Sequence, residues 1–304
     1  SDKVVVAYVT SWSDIMPDPM LMTHINYSFG HVNDSFDGVR IDNPDRLSAI
    51  VSLKSQNPSL KVMLSIGGWG SGRFSEMASD ENLRASFCND CLAVVDRFGL
   101  DGIDIDWEYP GSSSAGISSS VDDRENFTIL MKELREVLGA ETLLTFASNA
   151  GADYINYSDV LPYVDFVNVM AYDMALAPKH HSALYDSPIS GSMTSDRAVK
   201  RHIEEGIPAD RLVMGMPFYG KGPGGSFVDI CRIDFYGQEG VKECWDNEAM
   251  VPYFVNSEGD IILCHENLRS IGIKCDYIND NGDIKFGDLQ KLQTDVQYTL
   301  DVNN

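Results

Sequence analysis

Short apolar runs alternate with amphipathic stretches along most of this chain, and that rhythm limits the possible folds more than any other feature. Residues 4–9 are an almost continuous apolar run, as in a strand buried on both faces. Residues 24–30 and 61–66 read as further strands, the second closing on Gly67-Gly68-Trp69. Between them, residues 44–56 carry Leu47, Ile50, Val51 and Leu53 at helical spacing. Residues 79–98 form a longer amphipathic helix with Leu83, Phe87, Cys91, Val94, Val95 and Phe98 on its inner side. A Ser/Gly-rich loop at 112–120 precedes a helix at 122–138, with Asp122 and Asp123 at its positive end. Strands at 143–147 and 164–173, a helix at 195–205 capped by Ser195, and a seventh strand at 212–220 follow. No internal repeat is visible.

Such alternation implies right-handed parallel crossovers. Seven strands within 304 residues favour a (β/α)8 TIM barrel, which typically takes about 250 residues. A doubly wound open sheet is the alternative, weakened by the lack of a Gly-rich dinucleotide fingerprint after the first strand. From 221 to 262 the rhythm breaks into turns and mixed short strands, and a helix at 266–277 resumes it. The expected organisation is therefore one domain over 1–304 with a short insertion between strands 7 and 8.

The remaining strand is acidic. Ile103 to Trp107 alternates apolar and acidic residues, so Asp104, Asp106 and Glu108 line one face and Ile103, Ile105 and Trp107 the other. Asp101 has the opposite parity and sits at the entrance beside Gly102. Like charges that close cannot all ionise, so a proton is shared and some pKa values rise. A carboxylic acid that keeps its proton near neutral pH is what a general acid requires. A solvated loop would not carry three large apolar residues between the acids. A calcium loop wants Gly at its sixth position and Glu at its twelfth, where counting from Asp104 finds Tyr109 and Ala115.

Composition narrows the partners. A net charge of −23 argues against nucleic acid and against polyanionic polysaccharides, and favours a neutral substrate. No apolar run approaches the length of a membrane span. The chain opens directly into a strand, so no signal peptide is expected within it. Six cysteines make no disulfide scaffold; they read as mostly buried thiols, with room for one bridge among Cys231, Cys244, Cys264 and Cys275. Cys88 and Cys91 lack the second pair that a structural zinc site needs. His180-His181 reads as surface loop rather than a metal site.

In a barrel the functional residues stand at the C-terminal strand ends. That rule gathers Tyr8, Phe29, Ser65 with Gly67 and Gly68, Asp106 with Glu108, Met170 with Tyr172 and Asp173, and Tyr219. Aromatic faces beside polar groups suit sugar rings. The stretch Asp101-Gly102-Ile103-Asp104-Ile105-Asp106-Trp107-Glu108 resembles the DGxDxDWE signature of family 18 glycoside hydrolases, the chitinase family. Ser65-Ile66-Gly67-Gly68 resembles that family's SxGG motif, and Met170-Ala171-Tyr172-Asp173 its MxYD motif. Residues 25–29 and 215–220 are also similar to family strand ends.

The resemblance implies a retaining, substrate-assisted hydrolysis of β-1,4-linked N-acetylglucosamine, with no metal or organic cofactor. It makes Glu108 the acid, then the base, while the substrate's acetamido carbonyl attacks C1 to give an oxazolinium intermediate. Asp106 would orient the acetamido N–H, Asp104 would share a proton with Asp106, and Tyr172 would hydrogen-bond the acetamido oxygen. Asp173 would hold the bent sugar, and Tyr8 and Ser65 would support the acidic pair. Phe29, Gly67, Gly68, Trp69, Met170 and Tyr219 complete the expected substrate site. The expected partner is an oligosaccharide or polysaccharide containing N-acetylglucosamine, met by a monomer that is secreted, periplasmic or at the cell surface. An endo-β-N-acetylglucosaminidase acting on N-glycans and a non-catalytic chitin-binding lectin are the other readings; an intact Glu108 argues against the lectin. One stretch departs from the family. Members usually end the barrel on a Gly-Gly-apolar strand with a Trp, whereas residues 279–288 here are polar and lack Trp. Strand 8 is therefore expected to be short or irregular around 284–286, leaving a sugar subsite open on that side.

Overall fold

The computed structural model describes residues 4–229 and 235–280. Its main sheet runs parallel in chain order through β1 (Val6–Thr10), β2 (His24–Val32) with the short antiparallel β3 (Val39–Ile41) on its flank, and β4 (Lys61–Gly67). It continues through β5 (Gly102–Asp106), β6 (Leu143–Asn149), β7 (Phe166–Met170) and β8 (Leu212–Met214). The connections carry α1 (Pro44–Val51), α2 (Phe74–Ser79), α3 (Glu81–Phe98), α4 (Asp123–Leu138), α5 (Tyr157–Val160) and α6 (Ser195–Glu204). This is the (β/α)8 barrel that the alternation predicts. The expected irregular strand 8 at 284–286 lies outside the described residues.

The apolar runs become barrel strands because both of their faces are covered. Val9, Ile25, Tyr27, Val62 and Leu64 are fully buried. On β5 the outward residues Ile103 and Ile105 pack beneath the helices, and just beyond it the Trp107 ring stacks on Phe74 of α2 at 5.3 Å. Gly102 lies so close to β6 that a Cβ there would meet the Leu143 carbonyl oxygen at 2.2 Å. Asp101, turned the other way, accepts from Lys54 Nζ at 2.7 Å and from the Val62 N–H at 2.8 Å, anchoring the strand's start.

Several local expectations shift. The buried stripe of α3 includes Arg84 and Cys88, while Leu83 and Phe98 are only partly covered. Arg84 can be buried because Glu133 of α4 pairs with it at 3.1 Å. Thr194, not Ser195, caps α6, its hydroxyl accepting from the Arg197 N–H. Asp123 does more than face a helix dipole. Fully buried, it accepts from Ser75 Oγ and from the N–H groups of Gly111 and Ser120, fastening the loop after β5 to α2. Cys88, Cys91, Cys244, Cys264 and Cys275 are free thiols, and burial pushes Cys88, Cys264 and Cys275 up to about 12.

The single strand expected over 212–220 is two. After β8 the chain turns at Gly215 to Phe218 and enters a separate antiparallel sheet of β9 (Tyr219–Lys221), β10 (Phe227–Asp229), β11 (Lys242–Asp246), β12 (Val251–Val255) and β13 (Ile261–Cys264). Pro217 has no N–H for a ladder, which suits a break in pairing there. The last described helix, α7 (Leu268–Asp280), follows. This sheet and α7 cover the loop after β7, so His180 and His181 are buried rather than on the surface. His180 Nε2 lies 3.0 Å from Asp246 Oδ2, and the His181 ring stacks on Tyr219.

Candidate active site

The acidic face of β5 and its continuation climb from the barrel interior toward solvent. Asp104 is fully buried, Asp106 is 5% exposed and Glu108, just past the strand, 8%. Pairing register builds the surroundings. Ser65 of β4 and Thr145 of β6 lie level with Asp104, and Gly67 lies level with Asp106. Tyr8 Oη and Ser65 Oγ donate to Asp104 Oδ2 at 2.9 and 2.8 Å. Thr145 Oγ1 and Asn168 Nδ2 donate to Oδ1 at 2.7 and 3.2 Å. Strands β1, β4, β6 and β7 thus each send one donor to the same carboxylate. Burial raises the Asp104 carboxyl above the ordinary range, and the four donors oppose that rise by favouring its anion.

Asp106 lacks such a cradle. Its Oδ1 has no hydrogen-bond partner among the described residues. Burial, then the charges of Glu108 and Asp104, push it well above the usual carboxylate range. Of the two buried aspartates, Asp106 is pushed up the more strongly, and it shares a hydrogen bond with Glu108. Burial also raises Glu108, against the opposing hydrogen bonds of Tyr109 and Asp106. An acid at the cleft wall, raised above the ordinary carboxylate range, is the outcome.

The glycines after β4 make room for this ladder. Gly67 has φ 129, and a Cβ there would fall 1.9 Å from the Asp106 carbonyl oxygen. At Gly68, whose N–H donates to that same carbonyl, a Cβ would meet the Phe29 ring at 2.8 Å.

Above the acids lies a cleft of about 870 Å³, within the span of small-molecule sites. Asp106, Glu108, Tyr172, Tyr8, Phe29, Trp69, Met170, Asp173 and Tyr219 line it, while Asp104, Ser65, Gly67 and Gly68 stand behind the lining. Trp69 is 64% exposed on the rim and meets Tyr109 edge-on at 6.5 Å. Tyr219 reaches the cleft from β9 rather than from a barrel strand, and its ring faces Tyr172 at 6.1 Å. Burial, then Asp106 and Glu108, hold the Tyr172 hydroxyl well above its usual range, so it stays a donor. Asp173 has φ 53 and pairs with Lys221 at 3.2 Å. Burial would raise it, but hydrogen bonding to His181 and the Lys221 charge bring it below the ordinary range.

Residues not anticipated also enter. Trp12 and Phe227 line the cleft, as does Tyr109, which stacks on Tyr154 at 4.5 Å. Thr145 and Asn168 were readable in principle, being single polar residues inside buried apolar strands. Trp12 sits in a polar loop and gives no periodic signal. Among the described residues, no group of three or more His, Cys, Asp or Glu side chains is arranged to hold a metal ion.

Comparison with known proteins agrees with this geometry. The family model described as glycosyl hydrolases family 18 matches residues 4–286. Chitinase A1 of Niallia circulans is 30% identical across 93% of this chain and 46% of its own length. Chitotriosidase-1 of Mus musculus is 32% identical across 71% of this chain and 53% of its own. The chain thus spans about half the length of these curated relatives. Among solved structures, a glycoside hydrolase family 18 N-acetylglucosaminidase from Paenibacillus barengoltzii superposes with a TM-score of 0.86 at 29% identity, covering 99% of this chain and 100% of that one. With the acidic ladder, the barrel that carries it and a family match over nearly the whole chain in agreement, the chain belongs to glycosyl hydrolases family 18.

Proposed function

We propose that this chain hydrolyses the β-1,4 linkages of N-acetylglucosamine in chitin or its oligosaccharides, retaining configuration at C1 with the substrate's own acetamido group as nucleophile. The observation that carries the reading is the state of the cleft carboxylates. A two-carboxylate retaining enzyme needs a second, free carboxylate about 5–5.5 Å from the acid. Asp106 is buried, pushed well above the ordinary carboxylate range and hydrogen-bonded to Glu108, and Asp173 is paired with Lys221 and held by His181. Asp153, the other aspartate lining the cleft, accepts from Asn149 Nδ2, so each of these aspartates is already engaged, which supports a nucleophile drawn from the sugar.

In this mechanism Glu108 protonates the leaving glycosidic oxygen. The acetamido oxygen closes on C1 and expels that oxygen, giving the oxazolinium. Asp106 holds the acetamido N–H, and the Tyr172 hydroxyl donates to the acetamido oxygen. The resulting Glu108 carboxylate then takes a proton from the water that opens the ring. Asp104, Tyr8 and Ser65 set the charge beneath Asp106. Trp12, Trp69 and Tyr109 offer faces for sugars beyond the cleavage point. No described helix is long and apolar enough to cross a membrane. The reading takes residues 1–304 as one catalytic domain, acting as a monomer on substrate outside the cytoplasm.

Proton NMR of fresh products from chitin tetrasaccharide tests the mechanism: the β-anomer should appear first, and fully deacetylated chitosan should remain uncut. Inversion at C1, cleavage of the deacetylated polymer, or cleavage confined to a high-mannose glycopeptide would each reject it.

A further inference from the structure

The loop after β7 carries Asp173 into the cleft in a left-handed backbone conformation, φ 53. Non-glycine residues persist there when their surroundings over-determine them. Lys221 pairs with the carboxylate, and His181 holds the backbone. His181, fully buried, accepts the Asp173 N–H on Nδ1 at 3.1 Å, and its own carbonyl accepts the Met174 N–H at 2.9 Å. The same Nδ1 lies 3.5 Å from Asp173 Oδ1, so one ring nitrogen meets both the amide and the carboxylate of that residue. The ring also stacks on Tyr219 at 5.3 Å and stands outside the residues lining the cleft.

A second layer fixes His181 itself. The carbonyl of the next residue, Ser182, accepts from Lys274 Nζ at 2.6 Å, and Ser182 Oγ donates to Glu266 Oε1 at 2.9 Å. Lys274 and Glu266 are paired with each other and fully buried. A buried ion pair contributes little net stability, yet removing one partner is costly, so its value lies in holding a defined geometry. Lys274 belongs to α7, so the last described helix braces the loop that presents Asp173.

We infer that His181 is a positioning residue: its Nδ1 holds Asp173 in the conformation that presents the carboxylate to the bent sugar. The inference rests on the proposed function for the role of Asp173, but the clamp itself is a property of the chain. Its signature is an acceptor requirement. In Asn, Oδ1 stands the same number of bonds from Cα as Nδ1 in His and can accept the Asp173 N–H. Leu and Ala cannot. All three substitutions lose the stack on Tyr219, so the contrast between them isolates the hydrogen bond.

The experiment measures kcat and KM on chitin tetrasaccharide for wild type, His181→Asn, His181→Leu, His181→Ala, Asp173→Ala and His181→Leu/Asp173→Ala, with thermal melts as folding controls. Displacing a reacting group by about 1 Å can cost about a hundredfold. His181→Leu should lower kcat by about tenfold to a hundredfold with KM within about twofold, because the bent sugar belongs to the transition state. His181→Asn should stay within about threefold of wild type, and His181→Leu should add no loss to Asp173→Ala. If Leu prevents folding, Ala decides the same point. Wild-type kcat in the Leu and Ala variants, equal losses in Asn and Leu, or independent losses in the double variant would overturn the inference. Crystal structures give a readout that needs no activity. Residue 173 should leave positive φ in His181→Leu or His181→Ala and keep it in His181→Asn; an unchanged φ in the Leu and Ala variants refutes the clamp. Should wild type leave chitin tetrasaccharide uncut, the proposed function fails and these structures alone decide the clamp.

Discussion

Thr145→Val removes one hydroxyl from the interior of the barrel and leaves the shape of the side chain. Thr145 is fully buried in β6, and its Oγ1 donates to Asp104 Oδ1 at 2.7 Å. The other donor to that oxygen, Asn168 Nδ2, is farther away at 3.2 Å. A hydrogen bond to a charged group is worth about 1.5–3 kcal/mol, so we expect Thr145→Val to lower the unfolding free energy at pH 7 by about 2 kcal/mol. The pH dependence follows from linkage. Burial raises the Asp104 pKa in the folded state above the unfolded value of about 3.9. The folded protein then holds a proton that the unfolded chain has released, so stability falls as pH rises through that window. Losing a donor that favoured the anion raises the folded pKa further and widens the window. The deficit should therefore be largest near neutral pH, shrink as pH falls through the raised folded-state range, and have levelled off by about pH 4. Urea unfolding at several pH values, in wild-type and Asp104→Asn backgrounds, measures it. In Asp104→Asn the hydroxyl faces a neutral amide, and the loss should drop to about 1 kcal/mol. Deficits below about 0.5 kcal/mol at every pH, or equal deficits in both backgrounds, would refute the idea that four strands jointly hold a charged Asp104.

Glu108→Gln should cut kcat by at least about 10²–10⁴-fold while calorimetry still finds oligosaccharide binding; near-normal turnover would remove Glu108 from the acid role. The Tyr109 hydrogen bond lowers the Glu108 pKa, so Tyr109→Phe should move the alkaline limb of the kcat/KM profile upward. A limb that stays put or moves down contradicts that assignment. Trp107→Ala empties the space between Phe74 and Phe127 and should cost about 3–5 kcal/mol in urea unfolding. A loss under about 1 kcal/mol would mean that the helices there are not packed on that ring.

Local periodicity is enough to place Asp104, Asp106 and Glu108 on one face and Ile103, Ile105 and Trp107 on the other, because side-chain direction along a strand alternates whatever its neighbours are. The strand–helix rhythm is likewise local, and with the fixed hand of parallel crossovers it leads to the barrel and to the strand ends where the site lies. The donors to Asp104 are a different matter. They lie 39 to 96 residues away in the chain, and only the inter-strand register brings Tyr8, Ser65, Thr145 and Asn168 to its level. A one-residue slip of any strand would turn its donor to the other face. Composition misleads at His180-His181, where a polar loop reads as surface until β9–β13 and α7 cover it. The same holds for 212–220, whose apolar run splits between two sheets at a place that depends on where β8 stops finding a partner. A residue's own neighbours in sequence fix its conformation and facing. What lies on top of it, and which distant donor meets it, depend on non-local pairing and packing, which only the folded chain supplies.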